Sequence, residues 1–359
     1  MALDQAQILK ALASVRDPDL HKDIVSLGFV KDVVIDGGRV SFTIELTTPA
    51  CPVKDQMKEQ ARAAVMAVAG VSDVQVTMTA QVRKAVSPDA DKTHVPGVKN
   101  IIAVGAGKGG VGKTTVAVNL ALALAATGSR VGLMDADIYG PNVPIMLGLN
   151  GPLGSDDGKI VPPEKYGLRV VSIGFLTSDE SPLIWRGPML HSVIRQFLLE
   201  VSWGELDYLV VDLPPGTGDV ALSLSQTAYI AGAVAVTSPQ KVAVADTRRA
   251  VVMYQKLNIP VLGLVENMSY FSCPSCRHES DIFGRGGGQR LAEEMGIPFL
   301  GGIPISERLR EGADTGVPLV LADPSSPVAR AFAAVAEQTA AQVSIRSYKA
   351  PVIPLRPVS

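Results

Sequence analysis

The chain has 359 residues, and this length favours two domains because a single hydrophobic core stops growing beyond about 250–300 residues. Its formal net charge of −2 gives no general attraction for nucleic acid or anionic lipid, and no apolar run is long enough to span a bilayer. Three cysteines are too few for a secreted disulfide framework. We therefore expect a cytoplasmic protein that binds neither nucleic acid nor membrane.

The first 80 residues predict a small α+β domain. Helices are predicted near residues 5–14 and 52–69, and strands near residues 30–35, 39–46 and 71–79. Residues 81–99 are rich in charge and proline and lack any period, which is typical of a linker. A larger domain is predicted over residues 100–343, followed by a flexible, proline-rich tail over residues 344–359.

In the larger domain, short β-branched runs alternate with helical patterns, which predicts an α/β fold with a mainly parallel sheet covered by helices. The predicted strands lie near residues 101–104, 130–134, 168–173, 208–211, 233–236, 261–265 and 299–301. Ligands of such sheets bind beyond the carboxyl ends of the strands. Polar residues that follow the strands are therefore the candidates for function.

A glycine-rich loop follows the first of these strands and precedes a helical segment at residues 116–126. The loop consists of Gly107, Lys108, Gly109, Gly110, Val111, Gly112, Lys113 and Thr114. It satisfies G-x-x-x-x-G-K-[ST], in which backbone N–H groups wrap nucleotide phosphates at a helix N-terminus, and the strand-loop-helix order predicts a P-loop NTPase. Lys113 is predicted to reach the β- and γ-phosphates and Thr114 to bind Mg²⁺, with Thr115 one residue further into the helix.

Two other strands run into carboxylates. The strand at residues 208–211 ends in Asp212, the Walker B form, which predicts the second Mg²⁺ ligand; a helix N-cap or turn aspartate is the alternative. The strand at residues 130–134 runs into Asp135 and Asp137. We expect Asp137 to orient the attacking water and Asp135 to support the Mg²⁺ shell, because phosphoryl transfer depends on positioning and charge compensation.

Lys108 is a second lysine inside the loop, and it predicts a charge clamp on the transition state; a solvated lysine is the alternative. The motif GKGGVGKTT, together with Asp137 and the run from Asp212 to Asp219, resembles the deviant Walker A class of MinD, ParA and the nitrogenase iron protein. The resemblance implies a homodimer that sandwiches ATP, in which Lys108 reaches the partner's nucleotide and two switch regions change shape on hydrolysis. A MinD/ParA-like positioning ATPase is one alternative function, although the prolines at residues 351, 354 and 357 disfavour a membrane-binding helix.

Cys273 and Cys276 form a Cys-x-x-Cys pair after the sixth predicted strand. Two thiolates do not complete a zinc site or a 4Fe-4S cluster, but two such pairs related by a two-fold axis supply four. This count favours a cluster that bridges two protomers. A zinc-stabilised P-loop ATPase with His278 as a third ligand, and a redox or idle dithiol, are the alternatives.

The run VENMSYFSCPSCRHESDIFGRGGG, residues 265–288, resembles the signature of the Mrp/ApbC iron-sulfur cluster carrier ATPases, and the resemblance covers residues 100–343. It implies that Asn267 reads the adenine and that Cys273 and Cys276 hold a 4Fe-4S cluster across a homodimer. It also implies transfer from scaffold proteins to apo iron-sulfur proteins with ATP hydrolysis. From the residues alone, Asn267 is equally a turn asparagine, GTP is not distinguished from ATP, and an electron donor is a third possible class.

The small domain resembles the cluster-assembly module fused to such ATPases, through residues 15–20 (VRDPDL) and residues 46–52 (LTTPACP). Cys51 is predicted to start a helix, where the helix dipole makes a thiol more available as thiolate. A buried apolar cysteine is the alternative.

Overall fold

The computed structural model describes residues 3–85, 93–138, 140–176, 187–216 and 218–349. The chain divides into two compact units, Met1–Arg83 and Lys84–Ser359. Residues 86–92 of the predicted linker and residues 350–359 of the predicted tail lie outside the described residues. Among the helices of the described ranges, none combines the length and the apolar character needed to cross a membrane.

The first unit is a three-stranded sheet with two helices. Its elements are α1 (Gln5–Leu12), β1 (Val30–Asp36), β2 (Arg39–Leu46), α2 (Lys54–Met66) and β3 (Asp73–Ala80). β1 pairs antiparallel to β2, and β3 pairs parallel to β2. Met57, Ala61 and Val65 of α2 are buried. Because these residues are four apart, they form one apolar stripe on the helix that packs into the interior of the unit.

Cys51 lies before α2 rather than at its start. The N-cap residue of α2 is Val53, and Cys51 is half-buried. The prediction that Cys51 starts a helix is therefore wrong, because a turn at residues 52–53 separates the thiol from the first helical residue. The expected availability of Cys51 as a thiolate stays a prediction.

The second unit is built on one large sheet. The strands of this unit are β4 (Val98–Ala106), β5 (Val131–Asp135), β6 (Gly154–Asp156), β7 (Lys159–Val161), β8 (Glu164–Lys165), β9 (Leu168–Ser172), β10 (Leu206–Asp212), β11 (Gly232–Thr237), β12 (Val261–Ser272), β13 (Glu279–Ser280) and β14 (Phe299–Ile305). β6 and β7 form a separate two-stranded sheet. Its helices are α3 (Lys113–Ala126), α4 (Val143–Leu147), α5 (Gly187–Leu199), α6 (Asp219–Thr227), α7 (Lys241–Lys256), α8 (Gly287–Met295), α9 (Glu307–Thr315), α10 (Leu319–Ala322) and α11 (Pro327–Lys349), with a short 3₁₀ turn at Ile173–Phe175.

The sheet follows the order β13-β12-β11-β4-β10-β5-β9-β8, and β14 pairs with β12. All pairs from β12 to β9 are parallel, as is β12 with β14, whereas β13 and β8 are antiparallel additions at the two ends. Every residue of β10 and β11 is buried, as expected where helices cover both faces of a sheet. The predicted mainly parallel, helix-covered sheet is confirmed.

Three elements extend beyond their predicted ends. β4 begins at Val98, which pairs with β10, so the last residues of the predicted linker belong to the sheet. β12 continues to Ser272 because Phe271 pairs with both β13 and β14. α11 continues to Lys349, where Arg346 donates a hydrogen bond to the carbonyl oxygen of Val261 at 2.9 Å. Residues 344–349 of the predicted flexible tail are therefore helical.

Candidate nucleotide and cluster site

The predicted P-loop connects β4 to α3 and lines a cavity of about 380 Å³. The predicted site residues that line it are Lys108, Gly109, Gly110, Gly112, Lys113, Thr114, Thr115 and Asp137. Gly110 and Gly112 have φ angles of 83° and 78°, in the left-handed region that glycine adopts without strain. α3 begins at Lys113, so the N–H groups of its first turn are available to an anion in the loop.

Gly107 packs against the backbone of α7. A Cβ atom at this position would lie 2.1 Å from the carbonyl carbon and oxygen of Asp246, whereas a Cβ on Gly109 would have no atom within 4 Å. We expect Gly107→Ala to displace the loop and to lower the stability of the second unit by about 1–3 kcal/mol. Thermal unfolding followed by tryptophan fluorescence measures this loss, with Gly109→Ala as the matched control. Equal midpoints for the two variants would contradict the prediction.

Lys113 lies between two carboxylates at the floor of the cavity. Its Nζ atom is 2.6 Å from Asp212 Oδ1 and 3.4 Å from Asp137 Oδ2. Thr114 Oγ1 donates a hydrogen bond of 2.8 Å to Asp212 Oδ2. The two residues predicted as Mg²⁺ ligands, Thr114 and Asp212, are therefore in direct contact. Both present oxygen atoms, the ligands that Mg²⁺ prefers, so this pair fits the ion.

Asp137 has one carboxylate oxygen without a protein partner. Oδ1 is buried and accepts no hydrogen bond from any described residue, while Oδ2 faces Lys113. Buried polar atoms are nearly always satisfied, so a lone pair of this kind calls for a ligand or a water molecule. Asp137 also lines the cavity, and its predicted role in orienting the attacking water stays a prediction.

Asp135 is fully buried and does not line the cavity. Its carboxylate accepts hydrogen bonds from Ser172 Oγ at 2.9 Å, from the Asp137 N–H at 3.1 Å and from the Val143 N–H at 3.2 Å. Asp135 is the register partner of Asp212 on the neighbouring strand, and its predicted support of the Mg²⁺ shell stays a prediction. Asp135 positions the backbone of Asp137 and the start of α4. Ser172, which the sequence did not identify, is its partner across β5 and β9.

The two strand-end aspartates influence each other's protonation. Asp135 and Asp212 are register partners on β5 and β10. Burial raises the pKa of Asp135 to about 7, and the neighbouring Asp212 carboxylate adds to the shift. Burial also raises the pKa of Asp212, and the ammonium group of Lys113 opposes that shift. Lys113 therefore compensates a cluster of carboxylates that would otherwise favour protonation.

The raised pKa of Asp135 predicts a pH-dependent stability. The folded chain binds the carboxyl proton of Asp135 more tightly than the unfolded chain does, because an aspartate in an unfolded chain has a pKa of about 3.9. The contribution of Asp135 to the free energy of unfolding therefore falls as the pH rises from about 4 to about 7. We expect Asp135→Asn, which does not ionise, to lose this dependence. Its stability relative to wild type should increase from about pH 5 to about pH 8.

Urea unfolding at several pH values measures this difference, with tryptophan fluorescence as the probe because both tryptophans belong to the second unit. A difference between Asp135→Asn and wild type that stays constant with pH would contradict the prediction.

Asn267 lies inside β12, not at a strand end, because the strand continues to Ser272. Its Nδ2 atom donates a hydrogen bond of 2.9 Å to the carbonyl oxygen of Val111 in the P-loop. A Cβ atom on Gly112 would approach Nδ2 to 2.2 Å, so glycine is required there for this contact. Asn267 therefore holds the P-loop against β12, and its adenine-reading role remains a prediction.

Lys108 is half-buried and lines the cavity beside Gly109. In the described part of the chain its ammonium group has no carboxylate within salt-bridge distance. Lys113, by contrast, is held by Asp212 and Asp137. The two lysines of the loop thus differ: Lys113 is held by two carboxylates, whereas Lys108 makes no ion pair with a described residue.

Cys273 and Cys276 lie in the hairpin between β12 and β13. The hairpin is closed by the Cys273 N–H, which donates to the His278 carbonyl oxygen at 2.9 Å, and by the Arg277 N–H, which donates to the Cys273 carbonyl oxygen at 2.8 Å. Cys273 is half-buried and Cys276 is exposed. Hydrogen bonds from the N–H groups of Cys276 and Ser275 lower the pKa of the Cys273 thiol, which favours the thiolate that binds metals.

The hairpin brings together two thiols of one chain, Cys273 and Cys276. Across the described ranges, no group of three or more His, Cys, Asp or Glu side chains is arranged to hold a metal ion. His278 therefore does not complete a three-ligand zinc site with Cys273 and Cys276, as the zinc alternative requires.

Glu266 connects the cysteine hairpin to the sheet. Glu266 was not identified from the sequence. Its fully buried carboxylate accepts hydrogen bonds from Ser269 Oγ at 2.6 Å, from the Gly286 N–H at 2.9 Å and from the Gly288 N–H at 2.6 Å. Gly286 is the N-cap residue of α8. Glu266 thus binds the chain that leaves the hairpin, while the adjacent Asn267 binds the P-loop.

Six other residues that line the nucleotide cavity were also not identified from the sequence. They are Asn142, Ile145, Met146, Pro215, Ala313 and Asp314. Ala313 and Asp314 belong to α9, about 200 residues after the P-loop in the chain, and no local motif marks them. Their place in the cavity lining is visible only in the structure, because it depends on the packing of α9 against α4.

A P-loop at the carboxyl end of a parallel sheet, with an aspartate at the end of the neighbouring strand, defines the fold and site of a P-loop NTPase. Comparison with known proteins agrees. The model of the ParA family, described as NUBPL iron-transfer P-loop NTPase, matches residues 97–340. A second model, iron-sulfur cluster assembly protein, matches residues 5–78. The chain belongs to the iron-transfer P-loop NTPase family.

Relatives support this assignment over nearly the whole chain. An iron-sulfur cluster carrier protein of Synechocystis is 50% identical and covers 94% of this chain and 97% of its own length. One from Deinococcus radiodurans is 51% identical and covers 95% of this chain and 96% of its own. The predictions of a P-loop NTPase and of a member of the iron-sulfur cluster carrier family are confirmed.

Two solved structures show the same fold. A nucleotide-binding protein from Archaeoglobus fulgidus in complex with ADP is 41% identical, with a TM-score of 0.56, over 62% of this chain and 88% of its own. The cell division ATPase MinD of Pyrococcus furiosus is 27% identical, with a TM-score of 0.53, over 67% of this chain and 97% of its own. The carriers are thus more similar to this chain than the MinD protein is, which favours the carrier over the positioning alternative.

Proposed function

We propose that the protein is a cytoplasmic, ATP-dependent carrier of a 4Fe-4S cluster, which it receives from a scaffold protein, holds between two protomers and delivers to apo iron-sulfur proteins. The observation that carries this proposal is the pair of accessible thiols on one hairpin, Cys273 and Cys276, with no third ligand beside them in the described chain. A 4Fe-4S cluster takes four thiolates, so two copies of the hairpin supply the full set.

In the nucleotide cavity, Lys113 binds the β- and γ-phosphates of ATP, and Thr114 and Asp212 hold Mg²⁺. The ion supplies charge neutralisation on the phosphates. Asp137 orients the attacking water through its unpartnered Oδ1 atom. Lys108, which has no carboxylate partner in the described chain, reaches the nucleotide of the second protomer.

Asn267 reads the adenine through its Oδ1 atom, because its Nδ2 atom already binds Val111. The same strand, β12, continues from Asn267 to Ser272 and leads directly into Cys273. A shift of the P-loop between nucleotide states is therefore transmitted to the thiols through the short stretch of chain from Asn267 to Cys273. Residues 1–80 form a separate cluster-assembly-like domain, which the match over residues 5–78 supports.

Anaerobic reconstitution with iron and sulfide tests the proposal. We expect about four iron and four sulfide atoms per dimer, with the broad visible absorption of a 4Fe-4S cluster, and transfer of the cluster to an apo-protein such as apo-aconitase. Stoichiometric zinc in place of iron and sulfide, or a cluster held by monomers alone, would contradict it. Saturable co-sedimentation with liposomes or DNA in the presence of ATP would favour the positioning alternative.

A further inference from the structure

A second cavity, of about 960 Å³, adjoins Cys273. It lies beyond the carboxyl ends of β12 and β14 and is bounded by the first turns of α9 and α11. Its volume is at the upper end of the range of roughly 300–1,000 Å³ that is typical of ligand pockets. A cavity of this size beside a metal-binding thiol can take more than a single side chain of another molecule.

The cavity has an apolar wall. Leu319 and Val328 are buried, and Phe271 and Ile305 are half-buried at the point where β12 and β14 pair. Cys273 belongs to the same lining. Apolar side chains that enter the cavity would therefore be desolvated next to the thiol.

The mouth of the cavity is cationic. Arg277 and Arg330 are exposed, and in the described part of the chain neither guanidinium group has a carboxylate within salt-bridge distance. Arg308 is already paired with Asp323. Two carboxylates also line the cavity: Glu279, which is paired with Arg285, and Glu307, which has no ion pair among the described residues. Arg330 also donates a hydrogen bond to the carbonyl oxygen of Ser325. Within the described chain, Arg277 and Arg330 are therefore two cations without a carboxylate partner, against the single unpaired carboxylate of Glu307.

The helix that borders the mouth adds to this charge. α11 is 23 residues long, begins at Pro327 beside the cavity and has no acidic residue in its first turn. The positive end of its dipole is therefore not neutralised by its own sequence. The charges and the apolar wall together complement a segment that carries both carboxylates and apolar side chains.

We propose that this cavity receives an extended, acidic and partly apolar segment of the recipient protein, and so places a recipient cysteine next to Cys273. This inference rests on the proposed carrier function. In the transfer step the recipient thiol loses its proton and its sulfur forms a bond to iron, while the bond from iron to Cys273 breaks. The proton passes to the released Cys273 sulfur. No electron is transferred, so the oxidation state of the cluster is unchanged.

Peptide binding to the reconstituted protein tests this inference. The probe is a fluorescein-labelled peptide of alternating Asp and Leu with a central Ser in place of Cys, compared with the same peptide carrying Lys in place of Asp. We expect the acidic peptide to bind at least about tenfold more tightly than the basic one, because each arginine contributes a charge-assisted contact. We expect Arg277→Glu/Arg330→Glu to abolish or reverse this preference.

Arg195→Glu is the matched control, because Arg195 is exposed on α5 and lines neither cavity. Iron and sulfide are measured for every variant, and Arg330→Glu alone replaces the double variant if Arg277→Glu reduces cluster content. Equal affinity for the two peptides, or an equal loss in Arg195→Glu, would overturn the inference. Displacement of the peptide by ADP would assign the cavity to the nucleotide instead. Absence of any cluster would refute the carrier proposal itself, which is a separate result.

Discussion

Cys273→Ser is expected to lower the iron and sulfide content of the reconstituted protein at least about tenfold, because the thiolate is the ligand that iron requires and serine does not ionise in its place. In a dimer, the change removes two of the four proposed ligands. The nucleotide cavity does not include Cys273, so nucleotide affinity should change little. Iron and sulfide analysis after anaerobic reconstitution, together with titration of a fluorescent ATP analogue, measures both effects.

Cys51 supplies the control for this prediction. It is the third cysteine of the chain and belongs to the first unit, whereas the Cys-x-x-Cys hairpin belongs to the second. We expect Cys51→Ser to retain the cluster in full. A Cys273→Ser protein with wild-type iron and sulfide would refute the bridging arrangement, and loss of the cluster in Cys51→Ser would show that the small unit contributes a ligand.

Lys108→Ala is expected to lower the rate of ATP hydrolysis about 10³-fold while ATP still binds, because a cation supplied in trans to the transferring phosphoryl group is worth about 10³–10⁵-fold. Lys113, the proposed main phosphate contact, stays in place because Asp212 and Asp137 hold it. Steady-state hydrolysis and equilibrium binding of ATP separate the two effects. A rate within a few-fold of wild type would show that Lys108 is only a solvated lysine of the loop.

Mixing two inactive variants shows whether Lys108 acts across the dimer. If it does, a heterodimer of Lys108→Ala and Asp137→Ala protomers contains one complete site, formed by Asp137 of the first and Lys108 of the second. We expect the mixture to recover roughly a quarter of wild-type activity, since half of the dimers are mixed and each has one working site. If Lys108 acts within its own chain, no mixed dimer has a complete site and activity stays absent.

The residues that the sequence identified are those whose function depends on a short continuous stretch. The P-loop is eight consecutive residues between a strand and a helix, and the cysteine pair is four residues long. The P-loop NTPase prediction is confirmed, and the structure places Lys113, Thr114, Asp137 and Asp212 in contact with one another or with the cavity. Each of the two aspartates was identified because a strand leads directly to it.

The residues that the sequence missed, or placed wrongly, depend on which elements are neighbours in space. β12 was predicted too short because its end is held by pairing with β13 and β14 rather than by its own β-propensity. As a result Asn267 was expected at a strand end, although it lies within the strand and binds Val111. The three hydrogen bonds of Asp135 to Ser172, Asp137 and Val143 likewise join segments that no local motif connects.

The amino-acid sequence by itself determined that this chain carries a P-loop, a second loop lysine and a Cys-x-x-Cys pair, because each of these is a fixed spacing of residue types within a short stretch of chain. Only the tertiary structure decided how these features connect. Glu266 and Asn267 are adjacent on β12, yet one binds the chain that leaves the cysteine hairpin and the other binds the P-loop. Successive residues of a strand project to opposite faces, and only the assembled sheet shows what each face contacts.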